Sequence, residues 1–212
     1  MQLMNHSFQP VFEAAAACYT ADQRLVRSLW EEIAGCYSRP ARKYHNLQHL
    51  AAICHELLAV KQHIAGWNIL VFSIAYHDIV YNTRRQDNEE KSAALAKDRL
   101  LTLDLPAPAI ETCAAQILAT KTHAATGDTD TAYFTDADLA ILGSGWPVYA
   151  TYASHIRQEY RHYPGLLYNP GRKKVLKKFL EKDRIYNTPH FYSLYEEQAR
   201  KNMAAELANG LR

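Results

Sequence analysis

Histidine and aspartate are the residues of this chain whose placement could do chemistry. His77 and Asp78 are adjacent inside the long apolar run WNILVFSIAYHDIVY, His45 follows Arg42-Lys43-Tyr44, and Asp138 lies in the segment DADL. Each stands on an otherwise apolar stretch, where a carboxylate is costly to bury unless it is paired or coordinated. Two imidazoles and two carboxylates make a mixed nitrogen and oxygen donor set, suited to one divalent ion drawn from Mn, Co, Mg, Fe, Ni or Zn rather than to Ca. Four protein donors leave room for a reactant only if coordination reaches five or six, which favours an octahedral ion over a closed tetrahedral zinc site. Taken alone, His77 and Asp78 read equally well as a buried histidine satisfied by its neighbour. The company of His45 and Asp138 moves the reading toward a metal.

These residues need elements that bring them to one place, and the hydrophobic spacing supplies helices. Leu25, Val26, Leu29, Trp30 and Ile33 recur at helical period between an Asp22 cap and Gly35. A second amphipathic helix is expected from about His45 to Lys61, and on it His45, His49, Ile53 and Leu57 follow one another at intervals of four, so both histidines face the core. The WNILVFSIAYHDIVY run is long and lacks a hairpin partner, which predicts a buried helix with His77 and Asp78 near its C-terminal end. Asp87 and Glu90 have capping-box spacing, Pro108 suits the first turn of a further helix ending near His123, and Thr135 is placed to cap a short helix closed by Gly143. Three more helices are expected near Pro147, Gly171 and Pro189. The expected fold class is therefore all-α, a helical bundle that gathers ligands from several helices. The expected organisation is a single domain over 1–212, with a metal-site core at about 40–145 and a helical extension at about 146–212.

At these residues the chain resembles a known superfamily. Arg42 to His45 as R-x-x-H, the pair His77-Asp78 and the later Ala137-Asp138-Leu139 are similar, in order and separation, to the H…HD…D pattern of HD-domain phosphohydrolases. RKYHNLQHL, YHDIVYN, NEEKSA, TDADLAILG, IRQEY, GRKKVLKKFL and ARKN extend the resemblance over most of the chain, toward the small bacterial group of predicted metal-dependent HD-superfamily phosphohydrolases. An HD dipeptide alone is a weak signal, whereas the ordered set is specific. The resemblance implies an HD-domain-like bundle with one divalent metal on His45, His77, Asp78 and Asp138, and hydrolysis of a phosphate ester of a small molecule or nucleotide by metal-activated water. It is also what selects Asp138 over Asp136, which otherwise reads as a charge near a helix N-terminus. A non-catalytic nucleotide or metal sensor of the same fold is the alternative. A helical interaction protein whose His and Asp residues merely satisfy one another is a further rival.

Other residues take expected roles around that centre. Asp78 or Glu89 would accept a proton, and Glu89 is equally a charge in a helix's first turn. His49 could touch the same ion, a second ion or a substrate phosphate, and otherwise supports the ligands. His123 matches an extra histidine that some HD proteins use for a second metal, or simply a helix end. Arg157 and Arg172 could grip a phosphate bidentately, or form surface salt bridges.

A net charge of +2 offers little long-range attraction to a polymer, so a small phosphorylated substrate or nucleotide is the expected partner and nucleic acid is disfavoured. The lysines after Arg172 read as a solvated face. Cys-x-x-Cys, Gly-x-Ser-x-Gly and P-loop patterns are absent. The four cysteines form no close pair, MQLMNHSFQP has no leader pattern, and no apolar run reaches a membrane span. A cytoplasmic protein with reduced thiols and no membrane partner is expected.

Overall fold

A computed structural model describes residues 7–209, and all regular structure among them is helical. Residues 1–6, which carry most of the segment read for a leader, lie outside that range. The chain divides into two compact units, one up to Thr135 and one from Asp136 onward.

The first unit holds α1 (Gln9–Ala16), α2 (Gln23–Tyr37), α3 (Leu47–Ala59), α4 (Trp67–Tyr76), α5 (Asn88–Thr102), α6 (Ala107–Ala119) and most of α7 (Thr129–Leu139). Helix α4 is its axis, because Leu70 through Tyr76 are buried without interruption and the helix packs on α1, α3, α5 and α6. An element apolar on every side has no face to give to water. Asp22 caps α2 as expected, accepting from the Arg24 and Leu25 amides at 2.9 and 3.1 Å. The α1 helix had no sequence expectation; it docks through Phe12, whose ring meets Trp30 and Phe72.

Local capping corrects several expected boundaries. Helix α3 starts after Asn46, whose Oδ1 accepts from the Gln48 amide at 2.8 Å, so His45 sits just ahead of it. Asp87 makes no side-chain cap on α5, since its carboxylate is held by Arg85 at 2.6–2.7 Å. Thr135 caps nothing: α7 begins six residues earlier, Asp128 accepts from the Thr131 amide at 2.8 Å, and the Thr135 hydroxyl bonds back to the Thr131 carbonyl within the helix. Asp130 on that helix accepts from the Ala65 and Gly66 amides at 2.9 and 2.6 Å, which fixes the start of α7 against the start of α4.

The second unit contains the end of α7, a 3₁₀ turn (Ala140–Gly143), α8 (Trp146–Glu159), α9 (Gly165–Leu180) and α10 (Pro189–Asn209). Helix α9 starts at Gly165 rather than Gly171 and carries Pro170 inside its second turn. Gly143 is required by close approach, because a Cβ there would collide with Tyr195 on α10. No described helix is long and apolar enough to cross a membrane.

Candidate metal centre

Three separate segments of the first unit supply the site. His45 precedes α3, His49 lies in the first turn of α3, and His77 and Asp78 follow α4, with His77 as its C-cap. The Oδ2 atom of Asp78 is their common focus: the Nε2 atoms of His77, His45 and His49 approach it at 3.3, 3.8 and 4.0 Å. The Nε2 atoms of His49 and His77 are themselves 3.2 Å apart. Three imidazole nitrogens around one carboxylate oxygen form a convergent donor set.

Proton placement on His77 follows from its partner. Its Nδ1 lies 2.9 Å from the Ile74 carbonyl, which can only accept, so Nδ1 carries the hydrogen and, in its neutral form, the ring offers its Nε2 lone pair to the cluster. A backbone carbonyl holding the distal ring nitrogen is how proteins orient histidine ligands. The Phe134 ring of α7 packs edge-on against the other side of His77, at 5.7 Å between centroids.

Arg42 locks the segments together from below. Its guanidinium, buried between the rings of Tyr37 and Tyr81, donates to the carbonyls of His45 (3.2 Å), Asp78 (2.7 Å) and Ile79 (2.8 Å). Tyr37 adds a bond from the Asp78 amide to its hydroxyl at 3.1 Å. Thus the loop before α3 and the turn after α4 are held by one cation before any ion is considered. Beyond Asp78, Ser92 on α5 accepts from the Val80 amide at 3.1 Å and secures the outgoing chain.

Burial gives the cluster a direction. The side chains of His49 and His77 are 2% and 1% exposed, whereas those of His45 and Asp78 are 19% and 18% exposed. The open side is rimmed by aromatic rings, with Tyr81 at 4.4 Å and Tyr44 at 5.0 Å from the His45 ring.

No protein-family model, curated protein or solved structure matches this chain. The family resemblance therefore stands on its motifs, and the site on its geometry.

Of the sequence-predicted site residues, His45, His77 and Asp78 are brought together, and His49 joins them as a donor facing His77. Asp138 lies on α7, one turn after Phe134, so the two share a helix face. Asp136 is no helix-start charge: its buried carboxylate accepts from the Asn187 amide at 2.8 Å and from the Thr188 amide and hydroxyl at 2.7 Å each, anchoring the entry to α10 within the second unit. Burial raises its pKa, and those hydrogen bonds oppose the rise.

Glu89 is half-buried in the first turn of α5 and makes no hydrogen bond or ion pair among the described residues. His123 closes α6, with φ at 47° and its amide on the Ala119 carbonyl. The phosphate-gripping roles of the two arginines meet a physical obstacle, because both are occupied inside the second unit. Arg172 is buried in a two-point ion pair with Glu206, at 2.9 and 3.0 Å, which Tyr149 also contacts. Arg157 donates to the Tyr160 and Tyr163 carbonyls and stacks on Tyr168. Arg42, Tyr37, Tyr44 and Tyr81 are the site residues that sequence reasoning did not assign. Only the R-x-x-H spacing pointed at Arg42, and nothing local marked the tyrosines.

Proposed function

We propose that this chain is a metal-dependent phosphohydrolase, acting on a small phosphate ester or nucleotide, with one divalent ion held by His45, His77, Asp78 and Asp138 and with His49 beside them. The observation that carries the reading is the convergence of three imidazole Nε2 atoms on Asp78 Oδ2, with His77 oriented to present a lone pair. The ligand atoms of His49 and His77 are close enough to share an ion. A cation also relieves the electrostatics, since neutral imidazoles turned toward one another repel through their lone pairs unless a proton or a metal stands between them. Nitrogen and carboxylate donors together fit a first-row divalent ion.

When bound, such an ion supplies charge stabilisation at the phosphoryl oxygens and a lowered water pKa. The chain's own contribution is positional. Arg42 fixes the His45 and Asp78 segments relative to each other, and the Ile74 carbonyl fixes the His77 ring. The partly exposed Asp78 carboxylate can take a proton from an incoming water on the open side, while Tyr44 and Tyr81 offer rings against which an organic group can lie.

The test is metal analysis followed by turnover. Purified protein should retain about one divalent ion per chain, and a panel of phosphomonoesters, nucleoside mono- and triphosphates and cyclic nucleotides should reveal chelator-sensitive release of phosphate or nucleotide, with Asp138→Ala as the control for contaminating phosphatases. No ion under any loading condition would refute the centre. An ion with tight nucleotide binding but no turnover would replace the enzyme with the sensor.

A further inference from the structure

The metal-centre reading leaves α9 of the second unit unexplained. Its inward stripe is Tyr168, Arg172 and Leu176, spaced by four and buried. The opposite face has two parts. At its N-terminal end Leu166 and Leu167 are 87% and 64% exposed. Further along stand Lys173, Lys174, Lys177 and Lys178, which together with Pro170 and Glu181 line a shallow surface groove.

At 100° per residue, Leu166, Pro170, Lys173 and Lys177 fall on one side of that outward face and Leu167, Lys174 and Lys178 on the other, so leucines and lysines share a single exposed surface. None of the four lysines makes an ion pair or hydrogen bond among the described residues. Just beyond this face the Lys182 pKa is lowered, by burial first and by Lys178 second. An apolar tip followed by unpaired ammonium groups is wasteful on a face meant only for water, because exposed leucines gain nothing there and like charges repel.

We propose that the outward face of α9 docks on the surface of an anionic lipid bilayer, with Leu166 and Leu167 entering the headgroup boundary and the four lysines lying over acidic headgroups. The helix lies on the membrane and does not cross it. Lipid is favoured over nucleic acid for two reasons. The cations of this face are lysines, which act as point charges, and not the arginines that read phosphate and base edges bidentately. Nucleic acid also has no use for an exposed leucine pair in a position to be buried.

The test is flotation of the full-length protein with vesicles of phosphatidylcholine alone and of phosphatidylcholine mixed with phosphatidylglycerol. Binding is expected only to the mixed vesicles. Lys174→Ser with Lys178→Ser should weaken it about 25-fold, taking roughly fivefold per lysine at an anionic surface. Leu166→Ser with Leu167→Ser should weaken it about tenfold while leaving the salt sensitivity intact. All four positions face solvent, and unchanged circular dichroism will show that the variants fold. Wild-type protein that fails to float with acidic vesicles overturns the proposal, as does flotation of both double variants equal to that of the wild type. Retention of a duplex oligonucleotide in place of vesicles would reassign the face to nucleic acid.

Discussion

Arg42→Ala offers the sharpest test of how the metal centre is built. The buried guanidinium makes three charge-assisted bonds to carbonyls of two segments, two of them at 2.7 and 2.8 Å. Bonds to a charged partner contribute about 1.5–3 kcal/mol each, and an orphaned buried carbonyl adds its own desolvation penalty. Two of the three sit at part-buried positions that water can reach after truncation, so the expected loss is about 3–5 kcal/mol rather than the full sum. The assay is denaturant unfolding followed by circular dichroism, with and without added Mn. The variant should unfold at lower denaturant and should also bind Mn more weakly, because the His45 segment is no longer tied to the Asp78 turn. Arg42→Lys should recover only part of the loss, since one ammonium cannot span the three carbonyls as the planar fork does. An unchanged midpoint and unchanged Mn affinity in Arg42→Ala would refute the view that this residue organises the site.

Three further expectations concern the metal centre, the Glu32–Arg99 ion pair and the thiols. Mn at about a hundredfold excess over its dissociation constant should stabilise the wild-type protein by about 2.7 kcal/mol; His45→Ala should abolish that increment yet cost the metal-free protein under about 1 kcal/mol, as thermal unfolding with and without Mn will show. The Arg99 hydrogen bond lowers the Glu32 pKa, so this pair's stability is present above the ordinary glutamate value and fades as pH falls through the lowered one; Arg99→Ala should remove about 0.5–1 kcal/mol at neutral pH, discounted for the pair's part-exposure, and flatten stability across that acid window. Burial raises the thiol pKa of Cys54 to about 11 and of Cys113 to about 12, so a thiol reagent at neutral pH should modify Cys18 and Cys36 in the native protein and the other two only after unfolding.

What could be read in the sequence was set by how local its cause is. Asp22 and the Val26–Leu29–Ile33 stripe announce α2 because both the cap and the period act within one helix. His49 was legible from its place on the Ile53 and Leu57 stripe of α3, and the burial of His77 from the apolar run around it, whereas His45 lies ahead of that helix and its approach to His49 owes nothing to helical spacing. Boundaries failed where two local signals competed: Asn46 outbid His45 as a helix start, and Asp128 captured the start of α7 that Thr135 had suggested. Roles failed where the partner is remote. Arg42 reaches carbonyls 36 and 37 positions away, and Arg172 a carboxylate 34 away, distances at which no periodicity carries information.

The burial gradient across the cluster gives the site a polarity that a bare ligand list lacks. His49 and His77 form a dry floor, braced by Ile74, Phe134 and the start of α3, so their ring nitrogens have little freedom to turn away. His45 and Asp78 form the wet edge, with their backbones clamped by Arg42 while their side chains meet solvent. A rigid floor fixes where an ion can sit, and an open edge is where water and substrate can arrive; catalysis by positioned charge needs both. The same asymmetry orders the expected effects of substitution. His77→Ala should damage fold and metal binding together, because it empties a packed, hydrogen-bonded site. His45→Ala should affect the metal far more than the fold. Equal destabilisation of the metal-free protein by both changes would mean that the wet edge is part of the core, and the proposed direction of approach would have to be abandoned.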